Sequence, residues 1–130
     1  MKIIQLLLAA AMLLLSSHAY AGAFQIAPVK IDLDNREAEG NLIAARFSRN
    51  EEERIGCAVG HRGGVHYAYC EASLGSGIDA FCVTYDPAMI DTIASINTFS
   101  FVNFAWDKEN VCTDVTVATR SIHIPEKLKP

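Results

Sequence analysis

The sequence predicts an α+β domain: an antiparallel β-sheet of about six strands in meander hairpins, one α-helix, and stabilising disulfides. Three observations lead there. The first is the run I-G-C-A-V-G-H-R-G-G-V-H-Y-A-Y-C-E-A-S, residues 55–73, with Gly63-Gly64 at its middle. Two adjacent glycines suit a two-residue type I′ turn, whose central residues both need positive φ. A turn there sets Arg62 opposite Val65, His61 opposite His66, Gly60 opposite Tyr67, Ala58 opposite Tyr69 and Cys57 opposite Cys70. The cysteines then meet at a non-hydrogen-bonded site, where Cα atoms are about 4.5 Å apart and within disulfide reach. A turn signal and a cysteine pair thus agree on one register. The second observation is an export leader ahead of four cysteines, which predicts two disulfides. The third is Asp86-Pro87, which opens a helix: Asp86 caps it, and Pro87 takes the first position, where no amide donor is needed.

Residues 1–21 read as a signal peptide. Lys2 supplies the positive start, residues 3–15 the apolar run, and Ala19 and Ala21 the small residues before the cut. The run is shorter than the roughly 20 residues of a spanning helix, so no membrane anchor is expected. Removal leaves 109 of the 130 residues, a single small exported domain over 22–130. The compartment is the periplasm or the exterior.

In chain order, residues 22–28 form an extended lead-in. Val29, Ile31 and Leu33 alternate with Lys30 and Asp32 as a half-buried strand. Residues 34–41 read as a polar loop, residues 42–48 as a weak strand, and residues 49–54 as a charged, exposed turn. The opening hairpin continues through a three-residue loop, Gly75-Ser76-Gly77, into a third strand. A register symmetric about Ser76 sets Cys70 opposite Cys82, Glu71 opposite Phe81, Tyr69 opposite Val83 and Tyr67 opposite Tyr85. One face of this meander is small and apolar, carrying Ile55, Cys57, Val59, Ala68, Cys70, Ala72, Ala80 and Cys82. The other is aromatic: Tyr67, Tyr69, Phe81, Val83 and Tyr85 beside Gly56, Ala58 and Gly60.

The helix sets Met89, Ile90, Ile93 and Ile96 on one side and ends near Asn97. A second hairpin spans 98–121, with a four-residue turn at Asp107-Lys108-Glu109-Asn110. Val102, Phe104, Trp106, Val111, Thr113, Val115 and Val117 share its core face; Phe101, Asn103, Cys112 and Asp114 share the other. The tail from Ile122 is expected to be loose. Four cysteines allow three pairings. The turn register favours Cys57–Cys70 with Cys82–Cys112. Cys70–Cys82 with Cys57–Cys112 stays open, because Cys70 lies in the middle of the row.

The pattern I-G-C (residues 55–57), Cys70, Cys82, S-F-V-N-F-A-W-D (100–107) and V-C-T (111–113) resembles a family of small exported bacterial β-rich disulfide proteins without an assigned activity. The resemblance implies fold and compartment. Its motifs are structural and bring no catalytic residue with them.

Composition and spacing narrow the function. Without Lys2 the chain has ten basic and fifteen acidic residues. That balance suits neither nucleic acid nor an anionic lipid surface. No CxxC or CxxH spacing marks a zinc site, and D-L-D-N (32–35) lacks the glycine and final glutamate of a calcium loop. There is no G-x-S-x-G elbow, and His61 has no neighbouring carboxylate to orient it. The reading is therefore no enzyme and no cofactor, but a binding module for an unknown protein or glycan. Candidate contacts are Tyr67, Tyr69 and Tyr85 on the aromatic face, and His61, Arg62 and His66 at the hairpin tip. So much aromatic area seldom stays exposed, so the helix is expected to cover the tyrosines and leave the tip as the contact. The rival reading is a periplasmic metal-binding protein, with imidazoles of His61 and His66 as ligands for Cu²⁺, Zn²⁺ or Ni²⁺.

Overall fold

In the computed structural model, which describes residues 23–125, seven strands form two antiparallel sheets. Strands β1 (Lys30–Asp32), β2 (Glu37–Asn41), β6 (Phe101–Trp106) and β7 (Cys112–Ala118) make a four-stranded sheet in the order β1-β2-β6-β7. Strands β3 (Arg54–Arg62), β4 (Val65–Gly75) and β5 (Ile78–Thr84) make a three-stranded meander. Two helices, α1 (Leu42–Arg46) and α2 (Pro87–Ala94), and a 3-10 turn (Ser121–His123) complete it. The signal peptide expected over residues 1–21 lies outside the described residues, as does the end of the tail.

The expected single sheet of about six strands is thus corrected to two sheets and seven strands. Two segments account for the difference. Residues 34–41, read as loop, contain β2; its buried residues are Ala38, Gly40 and Asn41, none of them strongly apolar, so no hydrophobic alternation marks it. Residues 42–48, read as a strand, contain α1. Its Leu-Ile-Ala-Ala-Arg sequence is rich in helix formers, and Ala45 is its one buried residue. This helix and the loop after it carry the chain from one sheet to the other, so β2 pairs with β6 rather than with β3.

The sheets share one core. Ala38, Val102, Phe104 and Trp106 come from the four-stranded sheet, and Ile55, Ala68, Cys70, Ala72, Ala80 and Cys82 from the meander. Helix α2 begins as its sequence predicts: the Asp86 carboxylate accepts from Met89 N at 3.0 Å. It adds Ile90 and Ile93 to the core and ends at Ala94, short of Asn97.

The Gly63-Gly64 turn holds, with φ of 60° and 82°. Every expected pair from Arg62 with Val65 to Cys57 with Cys70 is present. Between β4 and β5 the pairs Cys70–Cys82, Glu71–Phe81 and Tyr69–Val83 also occur. A bulge between Ser73 and Gly75 corrects the three-residue loop to the two residues Ser76 and Gly77. Because β5 ends at Thr84, Tyr67 lies beyond it and gains no strand partner in Tyr85.

The second hairpin departs from its expected register. Ala105 pairs with Asp114 but Trp106 with Cys112, leaving Thr113 as an extra residue. Such a bulge reverses the sides of the residues beyond it. Cys112 turns into the core, 4% exposed, while Val111 and Thr113 face solvent. The described start of the tail, residues 122–125, is tied down: His123 is buried, and the carbonyl of Ile122 accepts from Gln25 N at 2.8 Å.

Candidate functional site

The two disulfides are Cys57–Cys70 and Cys82–Cys112, with Cα–Cα distances of 4.0 and 5.0 Å. The first joins neighbours within the meander. The second joins the meander to the four-stranded sheet. The sulfurs of Cys70, Cys82 and Cys112 lie within 4.8 Å of one another, in keeping with the place of Cys70 in the middle of the cysteine row. All four cysteines are bonded, and this suits an oxidising compartment. Among the described residues no helix is long and apolar enough to cross a membrane.

The aromatic face of the meander is solvent-facing, and the expectation that the helix covers it is corrected. Helix α2 and the four-stranded sheet both pack on the small apolar face. The reason is steric fit: Ala68, Ala72, Ala80 and the half-cystines leave room for Val102, Phe104 and Trp106, whereas a face of tyrosines does not. Phe81 is 47% exposed and Tyr85 63%, with Tyr67, Tyr69 and Val83 half-buried by their neighbours. The rings of Tyr69 and Phe81 are 5.9 Å apart and tilted by 34°.

The glycine-alanine strand beside them acts as a shelf. A Cβ at Gly60 would come within 2.5 Å of Tyr67 Cζ, so the tyrosine ring occupies the space over that glycine. The pairing of Gly60 with Tyr67 was legible in the register; the shelf it makes is a matter of side-chain placement. At the far end of the face stands a charged group centred on Arg54, whose part in it sequence reasoning missed. The Arg54 guanidinium lies 4.0 Å from Glu71 and 3.7 Å from Asp79, all three exposed. Its signal was present: the same register that aligns the cysteines aligns these three side chains on the aromatic face.

At the other end, residues 61–66 project as an exposed two-stranded tip. His61 and His66 face one another edge-to-face, with ring centroids 4.4 Å apart. Among the described residues no third histidine, cysteine or carboxylate joins them at metal-ligating separation. Arg62 lies beside them, exposed. The structure therefore places Arg62, Tyr67, Tyr69 and Tyr85 along the same side of the meander and the histidine pair on the opposite side of the tip.

No family model matches this chain, and no curated protein or solved structure matches it.

Proposed function

We propose that this chain is an exported, non-catalytic interaction module that binds a protein partner through the tyrosine face of its three-stranded sheet. The observation that carries this reading is the uncovered aromatic surface of Tyr67, Tyr69, Phe81 and Tyr85. It has the anatomy of a protein interface, with an aromatic centre and a polar, arginine-containing rim at Arg54, Glu71 and Asp79. Tyrosine and arginine are the residues on which interface energy concentrates. The shelf under Tyr67 favours binding further, because a ring already held in place loses little freedom on contact. Export and the resemblance to small secreted disulfide proteins belong to the same reading.

The test uses a photo-crosslinking residue at Phe81 and, as a control, at exposed Thr116 on the other sheet. Crosslinking in the periplasm is expected to join Phe81 to one defined protein that Thr116 does not reach. Tyr69→Ser with Tyr67→Ser is expected to abolish that product and leave the fold intact. Equal products at both positions, or none, sink the proposal. The rival metal role rests on the 4.4 Å approach of His61 and His66. It requires Cu²⁺ to quench tyrosine fluorescence in the wild type and not in His66→Ala.

A further inference from the structure

The second candidate region lies on the four-stranded side, away from the tyrosine face. Residues 24–28 run beside Asn41, which holds them with two bonds. The Asn41 backbone N donates to Ala27 O at 2.8 Å, and the Asn41 side-chain Oδ1 accepts from Ala27 N at 2.8 Å. Between this segment, α1 and the 3-10 turn lies a cavity of about 410 Å³, within the usual range of small-molecule sites. Its apolar wall includes Phe24, Ile26, Pro28, Ile43, Ala44 and Phe47.

Two polar side chains in that wall are almost fully buried, Asn41 at 1% and His123 at 2% exposed. Asn41 Nδ2 and His123 Nδ1 find no hydrogen-bond partner among the described residues, and both lie closed off beneath the cavity wall, so a ligand atom reaches them only when the side chains turn. Both are donors. The bond from Ala27 N fixes Oδ1 of Asn41 as the acceptor and leaves its NH₂ free. On His123, Nε2 lies 3.4 Å from Arg120 Nη2. A guanidinium offers only protons, so Nε2 accepts and the proton of the neutral ring resides on Nδ1. A buried donor without a partner lacks a hydrogen bond it would make in water, so two such side chains in the wall of one cavity call for an acceptor.

The third polar group sets the charge of that acceptor. Glu53 also lines the cavity; its Oε1 accepts from Val29 N at 2.9 Å, and its Oε2 is bonded by Ser48 Oγ. A carboxylate held there disfavours an anion, and the two free donors disfavour an ammonium group. We propose that this cavity binds a neutral, mainly apolar small molecule whose carbonyl group accepts from Asn41 Nδ2 and His123 Nδ1.

Three probes share one alkyl chain and differ in the head: octanamide, octanoate and octylamine. Titration of the ¹⁵N-labelled, oxidised protein is followed by NMR. Octanamide is expected to bind saturably and to shift the Asn41 side-chain amide and the His123 ring nitrogen. Octanoate is expected to bind more weakly, and octylamine not at all. Asn41→Asp keeps the acceptor for Ala27 N and removes the donor, so it should weaken octanamide about tenfold. Should that variant fail to fold, Ala44→Trp fills the cavity from α1, touches neither donor, and should abolish binding. The proposal is overturned if octylamine binds as well as octanamide, if octanamide binds without moving the Asn41 and His123 signals, or if Ala44→Trp binds normally. It is equally overturned if no probe saturates, since the cavity then holds water alone. Tyr67→Ser with Tyr69→Ser should leave octanamide binding unchanged, which separates this site from the tyrosine face.

Discussion

The β3–β4 and β6–β7 hairpins are both antiparallel pairs closed by short polar turns, yet only the first keeps an unbroken register. In β3–β4 the glycine turn sets nine consecutive pairs, from Arg62 with Val65 to Arg54 with Ser73. In β6–β7 the turn is as well defined locally. Asp107 Oδ1 accepts from Glu109 N and Val111 N, both at 2.9 Å, and Asn110 takes the left-handed conformation at φ 59°. One extra residue, Thr113, then shifts the ladder. The difference lies across the core. With a regular register Cys112 would face away from Cys82; with the bulge it faces Cys82 and bonds to it. Turn chemistry is a local matter, whereas a bulge answers to what stands on the other sheet.

Moving the cysteine by one position, with Cys112→Thr and Thr113→Cys together, should have the largest effect. The cysteine would then stand on the solvent-facing extra residue, out of reach of Cys82, with a loss of about 2–4 kcal/mol from the bridge alone. Intact mass with thiol alkylation reads the outcome; two alkylated cysteines are expected, and an unmodified protein would show that the ladder slips to bring the cysteine inward, so that the bulge does not set its side.

Removing each bridge in turn sharpens the comparison. Cys82→Ala with Cys112→Ala opens a sequence separation of 30, and Cys57→Ala with Cys70→Ala one of 13. Loop-closure entropy makes the longer bridge worth roughly 0.7 kcal/mol more. The shorter one also joins strands that the hairpin already pairs. Urea unfolding should rank the two variants in that order, and equal midpoints would mean that the sheets hold together without a covalent tie.

The smallest effect concerns the β1–β2 turn, which a side chain holds in the manner of Asp107. Asp32 accepts from Asn35 N at 2.9 Å and from Asn35 Nδ2 at 2.8 Å. These bonds, the backbone one foremost, keep its carboxyl below the ordinary carboxylate range. Its contribution is therefore complete above the ordinary carboxylate pKa and is lost as pH falls through the lowered folded value. Asp32→Asn should slightly flatten the acid limb of the stability curve; since Asp32 is exposed, added salt should shrink the difference. An unchanged acid limb at low salt would remove the effect.

Much of the meander was legible because its signals are local and redundant. Gly63-Gly64, the spacing of Cys57 and Cys70, and the alternation through Tyr69 and Ala72 point to one register. The alternation sorts the two faces correctly but does not tell which one is covered. Aromatic content argued for burial, while the fit of Val102, Phe104 and Trp106 against Ala68, Ala72 and Ala80 decided the opposite. Strand β2 escaped notice because its buried residues, Ala38, Gly40 and Asn41, carry no strong hydrophobic signal. Asn41 and His123 could not be read as partners, since 82 positions separate them in the chain. The hint for Asn41 was its place before Leu-Ile-Ala-Ala-Arg, where an asparagine marks a helix start. Yet its side chain does not cap α1, because its oxygen is already taken by Ala27.

The sequence by itself determined the first hairpin and its register, the helix start at Asp86-Pro87, the four cysteines as disulfides and the Cys57–Cys70 pairing. Each depends on residues near one another in the chain and on backbone rules that hold in any fold. Tertiary structure alone decided the split into two sheets, the bulge at Thr113 that brings Cys112 to Cys82, the exposure of the tyrosine face, and the meeting of Asn41 with His123. Those depend on which surfaces fit together once the chain is closed, and steric fit between distant segments leaves no periodic mark in the sequence.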